Sequence, residues 1–180
     1  MAWRKIAFLV PALLALAACG FRPIYAEHKE SASVGEQMAE VRVEPINYVG
    51  QQGVNLFRLG QQLHNALLNR INPDGKPGKP SYAIKVTLSE AEIDMAIDPS
   101  GLSQRSSITE TATYEMVSLA DHKRVMQGTS TGINSFGNVT NAFATVSGKE
   151  DARRRAIAYV ADDITARVAL FFQRGPKTEE

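Results

Sequence analysis

A second cysteine is missing from this 180-residue chain, so an intramolecular disulfide is excluded and all thiol chemistry rests on Cys19. Charge of one sign is missing as well: 20 Lys and Arg stand against 19 Asp and Glu, a net charge of +1. That balance leaves no electrostatic footprint for nucleic acid and argues against a DNA- or RNA-binding role. Histidine is scarce, with only His28, His64 and His122, none of them at metal-ligand spacing from a Cys, Asp or Glu. No GxGxxG pattern, no phosphate loop and no internal repeat occurs. What remains is a length sufficient for one core.

The first eighteen residues differ from the rest. Met1 to Lys5 is positive, Ile6 to Ala15 is an apolar segment of about ten residues, and Leu16-Ala17-Ala18 is small. That order is the pattern of a secretory signal peptide. The apolar run is shorter than the roughly 20 residues that span a bilayer as a helix, and Pro11 interrupts it. Leu16-Ala17-Ala18-Cys19 resembles the bacterial lipobox, in which the cysteine becomes the first mature residue and carries a diacylglycerol and an N-acyl chain. Several acyl chains hold a protein on a membrane firmly where one does not. Gly20, in place of an Asp, points by the same resemblance to the outer membrane. Without residues 1–18 the chain has 18 basic and 19 acidic side chains, a net charge of −1.

Residues 19–39 show neither helical nor strand period and read as a lipidated N-terminus and tether. Val41-Arg42-Val43-Glu44 alternates and ends at Pro45, the pattern of an edge strand. Leu56, Leu59, Leu63, Leu67 and Ile71 recur at three- and four-residue steps, which predicts an amphipathic helix over 54–71. Tyr82, Ile84, Val86 and Leu88 predict a strand with one buried face. Ile93, Met95 and Ile97 then shift to odd positions, which predicts a bulge or a bend between Ser89 and Glu92. Asp98-Pro99-Ser100-Gly101 and Ala120-Asp121-His122-Lys123 are turns, placing two further long strands from about Ser103 to Leu119 and from Arg124 to Phe136. A polar loop over 134–145 follows, and Ser147 with Glu150 matches a capping box that opens the last helix. Gly175-Pro176 ends it, leaving a charged tail over 175–180. The predicted architecture is α+β: two helices on one face of a roughly four-stranded, largely antiparallel sheet, in the order β-α-β-β-β-α, forming a domain over 40–174.

Polar residues in this frame carry little chemistry of their own. Glu90, Glu92 and Asp94 alternate along one strand face and read as a solvated edge. Arg153-Arg154-Arg155 spans about 200° of a helix and does not converge on one anion. His64 reads as a helix-surface residue and His122 as a turn residue. The last two long strands are rich in hydroxyls (Ser103, Ser106, Ser107, Thr109, Thr111, Thr113, Thr129, Ser130, Thr131), which suits either water or a polar partner.

The leader with its lipobox, then Cys19-Gly20-Phe21-Arg22-Pro23-Ile24-Tyr25, then this element order ending in Glu150-Asp151-Ala152-Arg153-Arg154-Arg155, resembles the LPS-assembly lipoprotein LptE family in its alphaproteobacterial form. The resemblance implies a lipid-anchored, non-enzymatic outer-membrane protein without cofactors. It further implies that the protein plugs an LptD β-barrel and helps deliver lipopolysaccharide to the outer leaflet. Lipid A phosphates need fixed cations, and Arg105, Lys123, Arg124 and Lys149 are the candidates near strand ends. Two other readings stay open: a periplasm-facing lipoprotein that binds another ligand or serves as pilotin to a different barrel, and a hydrolase built on Ser and Asp of the meander.

Overall fold

The computed structural model describes residues 34–49, 55–73, 75, 79–97 and 103–175. Helix α1 (Val34–Ala39) leads into two short strands, β1 (Val41–Val43) and β2 (Asn47–Tyr48), and helix α2 (Asn55–Ile71) follows. Three long strands come next, β3 (Tyr82–Ile97), β4 (Ser103–Ser118) and β5 (Arg124–Gly137), and then helix α3 (Ala142–Arg174). The sheet runs β1-β3-β4-β5, with β2 also seated on β3. β3, β4 and β5 form the expected antiparallel meander. β1 and β2 instead pair in parallel with the first half of β3, which requires a crossover connection that α2 supplies.

Register sorts the side chains onto two faces. In the row Val86–Tyr114–Gly128, and at every second residue from it, side chains point toward the helices. α2 buries Leu59, Leu63, Leu67 and Ile71, one turn apart along a single stripe. α3 buries Ala156, Ile157, Val160, Ala161, Ile164 and Val168 against the same core. The small residues matter, because the Ala156 carbonyl lies so close to Gly132 that a Cβ at that position would overlap it. Only glycine lets helix and strand approach this closely. At one end of the sandwich Tyr82, Phe171 and Phe172 meet edge to face, with ring centroids 5.2–6.2 Å apart. At the other end Ile108, Phe136 and Ala152 form a small separate cluster.

The α+β sandwich is as expected, and several details depart from it. Val34–Ala39, read as tether, is a helix whose Met38 is buried in the main core. β3 crosses Ser89–Glu92 without a bulge; its register irregularities lie between Asp94, Ala96 and Ile97. Ile93 and Met95 are therefore not buried by a change of parity. They stand 62% and 61% exposed on the face away from the helices. The last helix opens at Ala142, five residues before Ser147, because Asn141 caps it through its Oδ1, accepting from the N–H groups of Phe143 (3.0 Å) and Ala144 (3.3 Å). Ser147 and Glu150 lie inside that helix. The turn at 98–101 and the segments 1–33 and 176–180 lie outside the described residues.

Candidate functional site

Two features stand out above the core: a charged cluster enclosed between sheet and helix, and an uncovered sheet face. The cluster begins with Glu90 and Glu110, which are directly opposite each other on β3 and β4 and both point toward α3. Arg153 descends from α3 onto them. Its Nε and Nη2 donate to the two carboxylate oxygens of Glu90, both at 2.6 Å, and its Nη1 donates to Glu150 at 2.7 Å. This bidentate geometry is the strongest form of a carboxylate–guanidinium contact. Lys149 pairs with Glu92 one row further along, and Ser106 donates to Asp94 at 2.6 Å. Of the solvated edge expected of Glu90, Glu92 and Asp94, Glu92 and Asp94 stay exposed while Glu90 is drawn in beneath α3, and each of the three acids has a partner.

Glu110 is fully buried, and neither of its carboxylate oxygens receives a hydrogen bond from a fixed donor. Burial first, and then the Glu90 carboxylate, push its pKa up to about 9. At neutral pH it holds its proton, and a protonated Glu110 can donate to Glu90 where two carboxylates could not. Burial acts to raise Glu90 too, but the hydrogen bonds from Arg153, with the neighbouring Glu110 carboxyl, hold it below the usual carboxylate range. Arg153 is raised by its Glu90 and Glu150 partners and stays charged. The cluster therefore carries one shared proton and reads as a structural lock between sheet and helix.

The second feature is the opposite side of the sheet. Thr87, Thr113 and Thr129 lie side by side across β3, β4 and β5, and Ser89, Thr111 and Thr131 form the next row. Ala91, Thr109 and Ile133 follow, then Ile93, Ser107 and Ser135. No described element packs over these rows. The expected hydroxyl content thus falls mostly on one face, a grid of hydrogen-bonding groups at strand spacing that ends in an apolar margin of Ile93, Met95 and Ile133.

The sequence-predicted cations do not converge. Arg105 lies at the start of β4 opposite Gly137, whereas Arg124 pairs with Val117 at the far end of the same strand. Twelve strand residues, about 40 Å, separate them. Lys123 is 81% exposed beside Arg124, with Asp121 at the 4.0 Å limit of an ion pair. Lys149 is engaged by Glu92. Arg154 and Arg155 both turn to Asp151 while Arg153 turns inward, so the arginine run disperses as its spacing predicts. Cys19 lies outside the described residues. His64 Nδ1 sits 3.2 Å from the Glu44 carbonyl, and His122 occupies the β4–β5 turn at φ 56°. Among the described residues no group of three His, Cys, Asp or Glu could hold a metal ion, and no helix is long and apolar enough to cross a membrane.

No family model and no curated protein sequence matches the chain. Solved structures do. A lipoprotein structure from Caulobacter crescentus CB15 superposes with a TM-score of 0.57 at 13% identity, covering 78% of this chain and 96% of that one. Rare lipoprotein B from Shewanella oneidensis gives 0.54 at 9% identity, covering 74% and 97%. A minor lipoprotein from Acinetobacter baumannii gives 0.50 at 14% identity, covering 79% and 98%. At these identities the likeness is one of fold, and the chain shares its fold with proteins named as lipoproteins in three bacteria.

Proposed function

We propose that this protein is an outer-membrane lipoprotein, anchored through acylated Cys19, that occupies an LptD-like β-barrel as plug and assembly partner for lipopolysaccharide transport. The observation that carries this reading is the uncovered sheet face. Its rows of threonine and serine hydroxyls suit the polar interior of a large outer-membrane barrel, where hydrogen bonds to lumen side chains and water replace a second core layer. The leader with its lipobox and the Cys19–Tyr25 stretch support the membrane address. The fold shared with bacterial lipoproteins agrees with it. The role is binding and assembly, without catalysis or a cofactor. Lipid A phosphates are assigned to Lys123 and Arg124, which extend into solvent together, in preference to Lys149, whose charge Glu92 already satisfies.

Affinity purification from detergent-solubilised outer membranes tests the partner. The tagged chain is expected to recover a large β-barrel in equal amount, and Cys19→Ala is expected to lose both the membrane fraction and the barrel. Recovery with a different partner, or with no barrel, would overturn the reading. Lys123→Glu combined with Arg124→Glu is expected to weaken lipopolysaccharide binding by about tenfold while leaving the circular dichroism spectrum unchanged. Binding equal to that of the parent chain would remove this pair from the phosphate site.

A further inference from the structure

The two edges of the sheet are protected very differently. On one side β1 and β2 cover the first half of β3, and its second half carries Glu90, Glu92 and Asp94 and two register irregularities. Short covering strands, inward charges and bulges are the standard defences against edge-to-edge pairing. The other edge, β5, has them only at its start, where Arg124 and a single register shift lie. From Val125 to Gly137 it holds no charged residue and no proline, and from Met126 onward it runs opposite β4 for twelve residues without a register shift. Among the described residues no strand pairs with its outer side.

The helix above this edge shows what fits against it. Asp151, Arg155, Tyr159, Asp163 and Arg167 recur at four-residue steps along α3. This row follows the twisted strand beneath: Arg155 Nε donates to Asn134 of β5, Asp163 stands beside Ser130, and Arg167 stands beside Tyr114, whose ring crosses Gly128. Within one chain the charges already balance, since Asp151 pairs with Arg155 and Asp163 with Arg167. Turned end for end about Tyr159, the row is its own complement. Asp151 then faces Arg167 of a second copy, Arg155 faces Asp163, and Tyr159, 59% exposed, meets itself. The same two-fold axis passes near Gly132, which sits under Ala156. It sets Thr131 opposite Ile133 and Thr129 opposite Ser135, with no like charges opposed.

We propose that β5 and the Asp151–Arg167 row of α3 form an isologous interface with a second copy of this chain, joining two sheets antiparallel through their β5 edges. Such a contact uses one patch twice and closes on itself, and it satisfies the backbone groups that β5 leaves open. The inference does not rest on the barrel reading. A lumen that encloses one copy as a plug leaves no room for a second, so the dimer is the form of the chain outside a barrel, and the purified chain alone tests it separately from the barrel reading.

The test uses the purified full chain in detergent. Sedimentation at micromolar concentration is expected to show twice the monomer mass. Mild oxidation of Tyr159→Cys is expected to give a disulfide-linked dimer, and Lys85→Cys, on the opposite side of the sheet, is expected to give none. Asp151→Arg with Asp163→Arg, made in the Tyr159→Cys chain, should lower the cross-linked fraction at least about tenfold. Adding Arg155→Asp and Arg167→Asp reverses the whole row and should restore it. A monomeric mass, equal cross-linking at Lys85→Cys, or failure of the reversed row to restore linkage would each overturn the proposal. Should the double variant fail to fold, the sedimentation and the two chains that each carry one added cysteine decide the question by themselves.

Discussion

Arg153→Met is expected to cost about 3–5 kcal/mol of folding stability at pH 8, the range for removing one member of an enclosed ion pair. Among the described residues the guanidinium is the only cation paired with Glu90, and its side chain is 9% exposed. Methionine fills much of the same volume but leaves Glu90 and Glu110 facing each other under α3 with no compensating charge. The chain can relieve this by protonating both carboxyls, so the loss should shrink as the pH is lowered toward 5. Urea denaturation at pH 5 and pH 8 measures the effect, and with the usual dependence on denaturant the midpoint should fall by about 2 M at the higher pH. A midpoint within error of the parent at pH 8 would mean that the cluster does not lock the helix to the sheet.

Glu110→Gln is expected to act in the opposite direction. The folded-state pKa of about 9 lies above the ordinary value of 4.5. Folded protein therefore retains a proton that unfolded protein releases between those values. The contribution is complete below about pH 4.5, declines by about 1.4 kcal/mol per unit as the pH rises, and is gone above about pH 9. Glu90, whose pKa is lowered, behaves conversely. Its contribution is complete above its ordinary value and is lost as the solution becomes acid, so the slope between pH 5 and 9 belongs to Glu110. Glutamine cannot ionise and retains an N–H donor for Glu90. It should raise stability at pH 7 by about 3 kcal/mol and flatten the profile between pH 5 and 9. Thermal melts across that range decide the matter, and parallel profiles for the two proteins would contradict a neutral Glu110.

Where side-chain period and burial agree, the fold was legible in the chain. The Leu59–Leu63–Leu67–Ile71 stripe and the Ile84–Val86–Leu88 alternation each have one apolar face, and both appear where the pattern puts them. Periodicity misled where a charged group took a core position. Glu90 continues the buried parity of Leu88, but an acid at that place looks solvated until Arg153, 63 residues away, is known to meet it. Once Glu90 is read as outward, placing Ile93 and Met95 in the core requires a bulge, and the error propagates along the strand. Two local signals were nonetheless present. Glu110 shares the parity of Ile108, Ala112 and Tyr114, and Arg153 precedes Ile157 by one helical turn on the apolar stripe. Asn141 was obscured by the polar run around it, and α1 is too short for its period to show. The hydroxyl grid is different again: its residues were visible, but only cross-strand register aligns them into rows.

The packing of α1 against α3 and β1 bounds how far the body can lie from the anchor proposed at Cys19. With Met38 held in the core, fifteen residue steps along the sequence separate Cys19 from Val34, the first residue of α1. Fully stretched, that run reaches about 50 Å. This is close to the span of the sixteen-residue strand β3, so under the anchor proposed at Cys19 the body would stand at most about one strand's length from the bilayer. A sequence change that undocked α1 would lengthen this reach without touching the lipid or the sheet.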